Sequence, residues 1–199
     1  MKIGLTGSIA CGKSTVSNYL RAQGYPVVDA DAISHAMTAP GGPALPAIRE
    51  AFGDCVFQAD GTLDRRALGS IVFSSAECRN QLNSILHPMI LSEIRRQLHA
   101  YDAAGYIVFG DIPLLFECGM EKDFDEIWVV SVSREAQITR LRERDGLMRE
   151  DAKKRIDSQM PLAEKEKRAS TVICTEGTIE NTQTQVRALL DHLERRRQA

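Results

Sequence analysis

A glycine-rich loop near the start of the chain has the residues of a phosphate-binding site. Residues 7–15 read GSIACGKST and match the pattern G-x-x-x-x-G-K-[ST] through Gly7, Gly12, Lys13 and Ser14. Glycines let backbone N–H groups turn toward phosphate oxygens, a lysine reaches the β- and γ-phosphates, and a serine hydroxyl binds Mg²⁺. The loop therefore predicts binding of ATP or GTP.

A small kinase is the nucleotide enzyme that best fits the rest of the sequence. The chain contains no N-K-x-D motif of the kind that guanine-specific GTPases use, and its 199 residues are too few for a motor-type ATPase. A kinase also needs a carboxylate that orients the acceptor hydroxyl and arginines that neutralise the transferred phosphoryl group. Both kinds of residue occur in the sequence.

Three aspartates follow apolar runs at positions where an active site could use them. In VVDAD, Asp29 and Asp31 are two residues apart, which on a strand places both side chains on one side. Asp31 is the predicted base or orienting group, whereas Asp29 could serve the same site or cap a following helix. In FGDIPLLFE, Asp111 could contact Mg²⁺ through water or cap a loop. Glu117 is interpreted as a structural or rim residue.

A charge-dense segment after the fourth apolar run contains many arginines. Most residues of such a segment form a solvated face. Arg140 and Arg144 are one helical turn apart, so a single helix face could bring both to the phosphates. We predict that these two arginines contact ATP from a helical flap that closes over the site and excludes water.

Five apolar runs predict the strands that must position these residues. They read KIGLTG, YPVVDAD, YIVFGDIPLLF, DEIWVVSV and STVICT. The third and fourth are almost continuously apolar, which is typical of parallel strands covered on both faces, and helical patterns separate the runs. The sequence therefore predicts a three-layer α/β fold with a parallel five-stranded sheet. A helical stretch at about 32–90 interrupts it, and one of its helices is predicted to begin at Pro88.

Composition narrows the class of protein further. The net charge of −2 speaks against a general nucleic-acid binder, and no apolar run reaches the length of a membrane span. The five cysteines are scattered and form no CxxC pair, which argues against a disulfide framework or a zinc site. We expect a cytoplasmic protein that acts on a small molecule as a monomer or small homo-oligomer.

The order of several motifs along nearly the whole chain resembles the dephospho-coenzyme A kinase family. The phosphate loop is followed by VVDAD, DGTLDRRALGSIVF, LHPMI, DIPLLFE, RLRERDGL and RIDSQMPLAEK. The resemblance implies a P-loop NTPase core at 1–31 and 91–199, a helical acceptor-binding domain at 32–90 and a helical lid at 137–163. It also implies transfer of the γ-phosphate of ATP to the 3′-hydroxyl of dephospho-CoA.

The resemblance also implies roles for individual residues. It makes Asp31 the catalytic aspartate, supported by Lys13 and Arg140, and it places Arg65 and His87 in the acceptor region. For His87 the alternative is a structural position just before a helix that starts at Pro88. The ATP site is predicted to comprise Ala10, Cys11, Gly12, Lys13, Ser14, Thr15 and Arg144, with Ser14 and Asp111 contacting Mg²⁺.

Two departures from the family pattern leave questions open. Ser170 and Thr175 replace an acid and an asparagine near the last strand, where the adenine should bind. Cys11 lies in the loop beside a predicted helix N-terminus, which would lower its pKa. Its reactivity is left open, with the hypothesis that oxidation of this thiol blocks ATP binding. Another small-molecule P-loop kinase, such as a nucleoside monophosphate kinase, and an inactive nucleotide-binding regulator remain alternative interpretations.

Overall fold

In the computed structural model, which describes residues 1–198, parts of the five apolar runs form one parallel β-sheet. The strands are β1 (Lys2–Gly7), β2 (Val27–Asp29), β3 (Val108–Asp111), β4 (Glu126–Ser131) and β5 (Thr171–Cys174), in the spatial order β2-β3-β1-β4-β5. The central strand β1 pairs with β3 and β4, so Leu5 lies opposite both Asp111 and Trp128. The predicted five-stranded sheet is confirmed. Its carboxyl edge is where a ligand site is expected in such folds.

Helices connect and cover these strands. They are α1 (Lys13–Ala22), α2 (Ala30–Met37), α3 (Leu45–Phe52), α4 (Arg65–Ser74), α5 (Ala76–Ala103), α6 (Arg134–Asp145), α7 (Arg149–Asp157), α8 (Leu162–Lys167) and α9 (Ile179–Gln198). Short 3₁₀ turns occur at Asp54–Val56 and Glu121–Asp123. Helix α1 begins at Lys13, where the phosphate-loop motif predicts a helix start.

The core of the sheet unit is built from residues that the apolar periodicity of the sequence identifies. Leu20 of α1 and Val186 of α9 pack with Leu5, Phe109 and Trp128 of the strands, and all five are at most 1 % exposed. Burying a side chain of this size stabilises the fold by about 1.5–3 kcal/mol. Helices α1 and α9 are thereby held on the same core as the strand that leads into the phosphate loop.

The chain divides into two compact units. One comprises Met1–Val28 together with the chain from Leu98 onward, and the other comprises Asp29–Gln97. The second unit is helical apart from a short bridge between Phe57 and Leu63, and it includes the whole segment 32–90. Its boundaries fall at 28/29 and 97/98, where the sequence predicts 31/32 and 90/91.

The predicted helix start at Pro88 is wrong. Helix α5 runs without interruption from Ala76 to Ala103 and contains Pro88 in its interior. A proline there removes one backbone hydrogen bond and costs about 3 kcal/mol. Leu86, before the proline, lines a cavity of the second unit, and Ile94, after it, is 1 % exposed. Burial of Ile94 favours continuation of the helix past the proline, so His87 lies in mid-helix rather than at a helix start.

Length and apolar content decide whether a helix can cross a lipid bilayer. Within residues 1–198, none is at once long enough and apolar enough to span one.

Candidate active site

The phosphate loop connects β1 to α1 and adopts a conformation that depends on glycine. Gly12 has φ +84°, and a Cβ there would lie 3.3 Å from side-chain atoms of Thr175. Cys11 N donates to Ser8 O at 3.2 Å, which closes the turn. No side chain caps the N-terminus of α1, so its first N–H groups point into the loop. The loop thus provides the geometry that an anionic phosphate requires.

Lys13 and Asp111 form the charged pair at the base of this loop. The Lys13 ammonium donates to the Asp111 carboxylate, and the side chains are 18 % and 6 % exposed. Asp111 is the last residue of β3, which is hydrogen-bonded to β1. The structure therefore brings together two residues that the sequence predicts for one site, although they are 98 positions apart.

Arg140 is held directly against the loop. Its Nη2 donates to Thr175 O at 2.7 Å, and its Nη1 donates to Thr175 Oγ1 at 3.1 Å and to Ala10 O at 3.4 Å. Arg144, one turn further along α6, is exposed and donates from Nε to Asp145 at 2.7 Å. This hydrogen bond raises the pKa of Arg144 and lowers that of Asp145. Both arginines line the same cavity as the loop.

That cavity has a volume of about 540 Å³. It is bounded by the phosphate loop, α6, the end of β5 and the start of α9. Its walls are formed by Ala10, Gly12, Ser14, Thr15, Arg140, Glu143, Arg144, Thr175, Gly177, Thr178, Ile179 and Thr182. Of these, Glu143, Gly177, Thr178, Ile179 and Thr182 are missing from the sequence prediction. Four of these residues follow the last predicted strand, where the sequence analysis expects the adenine and where ligand sites of parallel sheets occur, whereas no sequence pattern indicates Glu143.

Thr175 connects three parts of this site. It is 5 % exposed, its Oγ1 donates to Cys11 O at 2.7 Å, and the same oxygen accepts from Arg140. Its backbone N donates to Ser131 O at 2.8 Å. The residue that departs from the family pattern is thus a link between the loop, β4 and α6. Ser170, the other departure, accepts from Ile127 N through its hydroxyl at 3.0 Å.

The lid segment packs on the outer side of the loop. Ile138 and Leu141 of α6 form a small core with Ile156 of α7, and Ile9 packs against it. Gln137 Nε2 donates to Ile9 O at 2.8 Å. The helices predicted to form the lid therefore contact the phosphate loop itself.

Cys11 is buried in the core of the sheet unit. Its side chain belongs to the core and is 1 % exposed, with its sulfur packed so closely against Gly7 that a Cβ there would come within 2.5 Å. Burial raises the pKa of the Cys11 thiol, and the Lys13 hydrogen bond and charge offset this only in part. The expectation of a lowered pKa is wrong, because loss of solvation outweighs the backbone hydrogen bond and the charge of Lys13.

Alkylation of the native protein should therefore discriminate between its thiols. With iodoacetamide at neutral pH, we expect Cys55 and Cys174, which are exposed, to react at least about tenfold faster than Cys11. Peptide mass spectrometry after timed quenching measures each site. Unfolding in denaturant should equalise the rates, whereas equal rates in the native protein would contradict the burial of Cys11.

The second unit contains the remaining predicted residues. Asp29 caps α2, since its carboxylate accepts from Asp31 N at 3.0 Å and from Ala32 N at 3.1 Å. The capping role considered for Asp29 is confirmed. The expectation that both aspartates continue a strand is wrong, because β2 ends at Asp29. Asp31 is exposed on the first turn of α2.

A smaller cavity of about 230 Å³ lies within the second unit. Arg65, the first residue of α4, is on its rim and donates from Nη2 to Thr38 O at 3.2 Å. The walls are mainly apolar and comprise Ser34, His35, Thr38, Leu63, Arg65, Leu68, Gly69, Val72, Leu82 and Leu86. His87 is exposed on α5, one position after Leu86.

Metal ligands are few. Residues 1–198 contain no cluster of three or more His, Cys, Asp or Glu side chains that could hold a metal ion alone. Ser14 and Asp111 offer one hydroxyl and one carboxylate. Such a small set of oxygens suits Mg²⁺, which keeps several waters and is bound largely by substrate phosphates.

Comparisons with known proteins agree with this geometry. The sequence model of the dephospho-CoA kinase family matches residues 1–181. The dephospho-CoA kinase of Shouchella clausii is 48 % identical over 187 residues, which cover 94 % of this chain and 95 % of that protein. The structure of the dephospho-CoA kinase from Campylobacter jejuni has a TM-score of 0.77 and 30 % identity, with 97 % and 98 % of the two chains covered. A Thermus thermophilus protein, TT1252, has a TM-score of 0.78 and 36 % identity, with 97 % of each chain covered. This chain therefore belongs to the dephospho-CoA kinase family.

Proposed function

We propose that this protein transfers the γ-phosphoryl group of ATP to the 3′-hydroxyl of dephospho-CoA, which gives ADP and coenzyme A. Dephospho-CoA kinases are nucleotide-using transferases that catalyse the last step of coenzyme A synthesis. The observation that carries the proposal is the cavity in which the phosphate loop faces Arg140, with the Lys13–Asp111 pair at the base of the loop. A scattered set of unpaired thiols supports a cytoplasmic location.

The donor side of the site is preorganised for phosphates. The α1 N-terminus and the loop amides bind phosphate oxygens, and Lys13 reaches the β- and γ-phosphates once they replace Asp111 as its partner. Arg140 is already fixed by Thr175 and Ala10, so little reorganisation is required to stabilise charge that develops on the transferred group. Ser14 and Asp111 would hold Mg²⁺, which neutralises phosphate charge when bound.

The acceptor side is assigned to the second unit. The mainly apolar cavity with Arg65 on its rim suits a ligand that joins an aliphatic arm to phosphates, and exposed His87 adds a polar contact near it. Asp31 accepts the proton of the 3′-hydroxyl as the oxygen bonds to the γ-phosphorus and the bond to the β–γ bridging oxygen breaks. Its exposed carboxylate supports this role, since Asp29 alone supplies the cap of α2.

An acceptor comparison tests the proposal. Purified protein and Mg-ATP are mixed with dephospho-CoA, with adenosine monophosphate or with no acceptor, and ADP release is followed. We expect turnover with dephospho-CoA only, a product that carries the new phosphate on the 3′ oxygen, and loss of turnover when EDTA removes the divalent cation. ADP release with adenosine monophosphate would indicate a nucleoside monophosphate kinase. Binding of ATP without turnover on any acceptor would indicate an inactive regulator.

A further inference from the structure

Lys165 of α8 is a charged residue with no exposed side-chain surface. Its Nζ donates to Gly7 O at 3.3 Å, to Pro113 O at 3.1 Å and to a Glu117 carboxylate oxygen at 2.9 Å. A lysine ammonium has three donors, and these three groups accept all of them. The buried charge is therefore fully partnered.

The two carbonyl groups that accept from Lys165 lie at the carboxyl end of one strand and just after the carboxyl end of its neighbour. Gly7 is the last residue of β1 and the first of the phosphate loop, and Pro113 comes two residues after Asp111, where β3 ends. The same two strands lead to Lys13 and Asp111, the charged pair at the base of the loop. One ammonium thus bridges the segments that carry this pair, in addition to the β1–β3 ladder and the hydrogen bond from Thr6 Oγ1 to Pro113 O.

The carboxylate partner connects Lys165 to the chain between α7 and α8. Glu117 Oε1 also accepts from Met160 N at 3.1 Å. The neighbouring Gln159 accepts through Oε1 from Ile9 N at 2.8 Å and from Ser8 Oγ at 3.1 Å. The segment before α8 is thereby attached to the first half of the phosphate loop, on the side away from α1.

The charge of Lys165 also acts on the interior of the loop. Burial raises the pKa of the Cys11 thiol, and the charges of Lys13 and, to the smallest extent, of Lys165 oppose that rise. Lys167, two residues later, is 69 % exposed and pairs with Glu164 at the surface. Solvent screens its charge.

We propose that Lys165 is a positioning residue for phosphoryl transfer, which fixes the entrance of the phosphate loop relative to Asp111. This inference rests on the proposed kinase function. Stability alone does not require the charge, because replacing a buried ion pair with apolar side chains of similar volume is often neutral or stabilising.

Three variants test this role: Lys165→Met, the double variant Glu117→Met/Lys165→Met, and Lys167→Met as the matched control. We expect the double variant to retain a Tm close to that of the wild type, because the buried lysine charge is removed together with its carboxylate partner, which is 24 % exposed. In both Lys165 variants, kcat/KM for ATP should fall about 10- to 100-fold, as expected for loss of hydrogen bonds to a charged group. The KM for dephospho-CoA should change less than twofold, and Lys167→Met should resemble the wild type.

The outcomes separate the two proposals. A folded double variant with wild-type kcat/KM for ATP would overturn the positioning role, and so would a double variant that does not fold, because the pair would then serve stability. An equal increase in the KM values of both substrates would also count against it. Failure of the wild type to phosphorylate dephospho-CoA would instead reject the proposed function.

Discussion

Replacing Asp31 with Asn is expected to lower kcat by about 10²- to 10⁴-fold while the affinity for ATP stays near that of the wild type. The amide keeps the size and polarity of the side chain but cannot accept the proton of the 3′-hydroxyl. Asp31 is exposed on the first turn of α2, so the change should not affect stability through buried contacts. Steady-state turnover with dephospho-CoA, together with a titration of an ATP analogue, measures both quantities.

Asp29→Asn is the matched control for this variant, because it makes the same chemical change two positions away. Asparagine is as good an N-cap residue as aspartate, so α2 should remain intact. We expect its kcat to stay within about threefold of the wild type. If Asp29→Asn were the impaired variant and Asp31→Asn turned over normally, the assignment of the base would be reversed.

Lys13→Met should lower kcat/KM for ATP by on the order of 10²- to 10³-fold, because the transferred phosphates lose their closest mobile cation. The same change leaves the Asp111 carboxylate, which is 6 % exposed, without its ammonium partner. Removal of one member of a buried pair destabilises a protein by about 3–5 kcal/mol. A lower Tm in the absence of nucleotide should therefore accompany the loss of activity.

A second substitution separates the loss of activity from the loss of stability. In Lys13→Met/Asp111→Asn the buried carboxylate becomes neutral, so the Tm should recover while the activity stays low. Thermal unfolding with and without ATP gives the stability and the ligand-induced shift, and the shift should be absent from both variants. Recovery of turnover together with the Tm would show that Lys13 acts only through stability.

The phosphate loop is the part of the site that can be predicted best from the sequence. Its geometry depends on nine consecutive residues, with a strand before it and a helix after it, and the left-handed Gly12 stands where the motif requires it. The place of Arg140 and Arg144 at this site could also be predicted from a local pattern, because residues one helical turn apart share a face of α6. Asp29 and Asp31 were harder, because an apolar run does not show where a strand stops and a capped helix begins.

The burial of a side chain and its contacts with residues far away in the chain could not be predicted from local sequence patterns. The sequence suggests a reactive Cys11 from its place beside a helix N-terminus, yet packing against Gly7 removes the thiol from solvent. In the sequence, Thr175 replaces an asparagine of the family pattern, which put the adenine contacts there in doubt. In the structure, the Thr175 hydroxyl donates to Cys11 O of the loop and accepts from Arg140. Lys165 stood in a run of charges that is typical of a solvated face, and nothing near it in the chain indicates that it is buried.

The sequence by itself determined the parallel α/β class, the phosphate loop and the family, because these depend on periodicity and on motifs whose members lie close together or in a fixed order. Only the tertiary structure decided which side chains meet. The strand order places β1 between β3 and β4, so Lys13 reaches Asp111 across 98 positions and Lys165 reaches Gly7 across 158. Such contacts follow from the arrangement of the strands in the sheet, which no short stretch of sequence encodes.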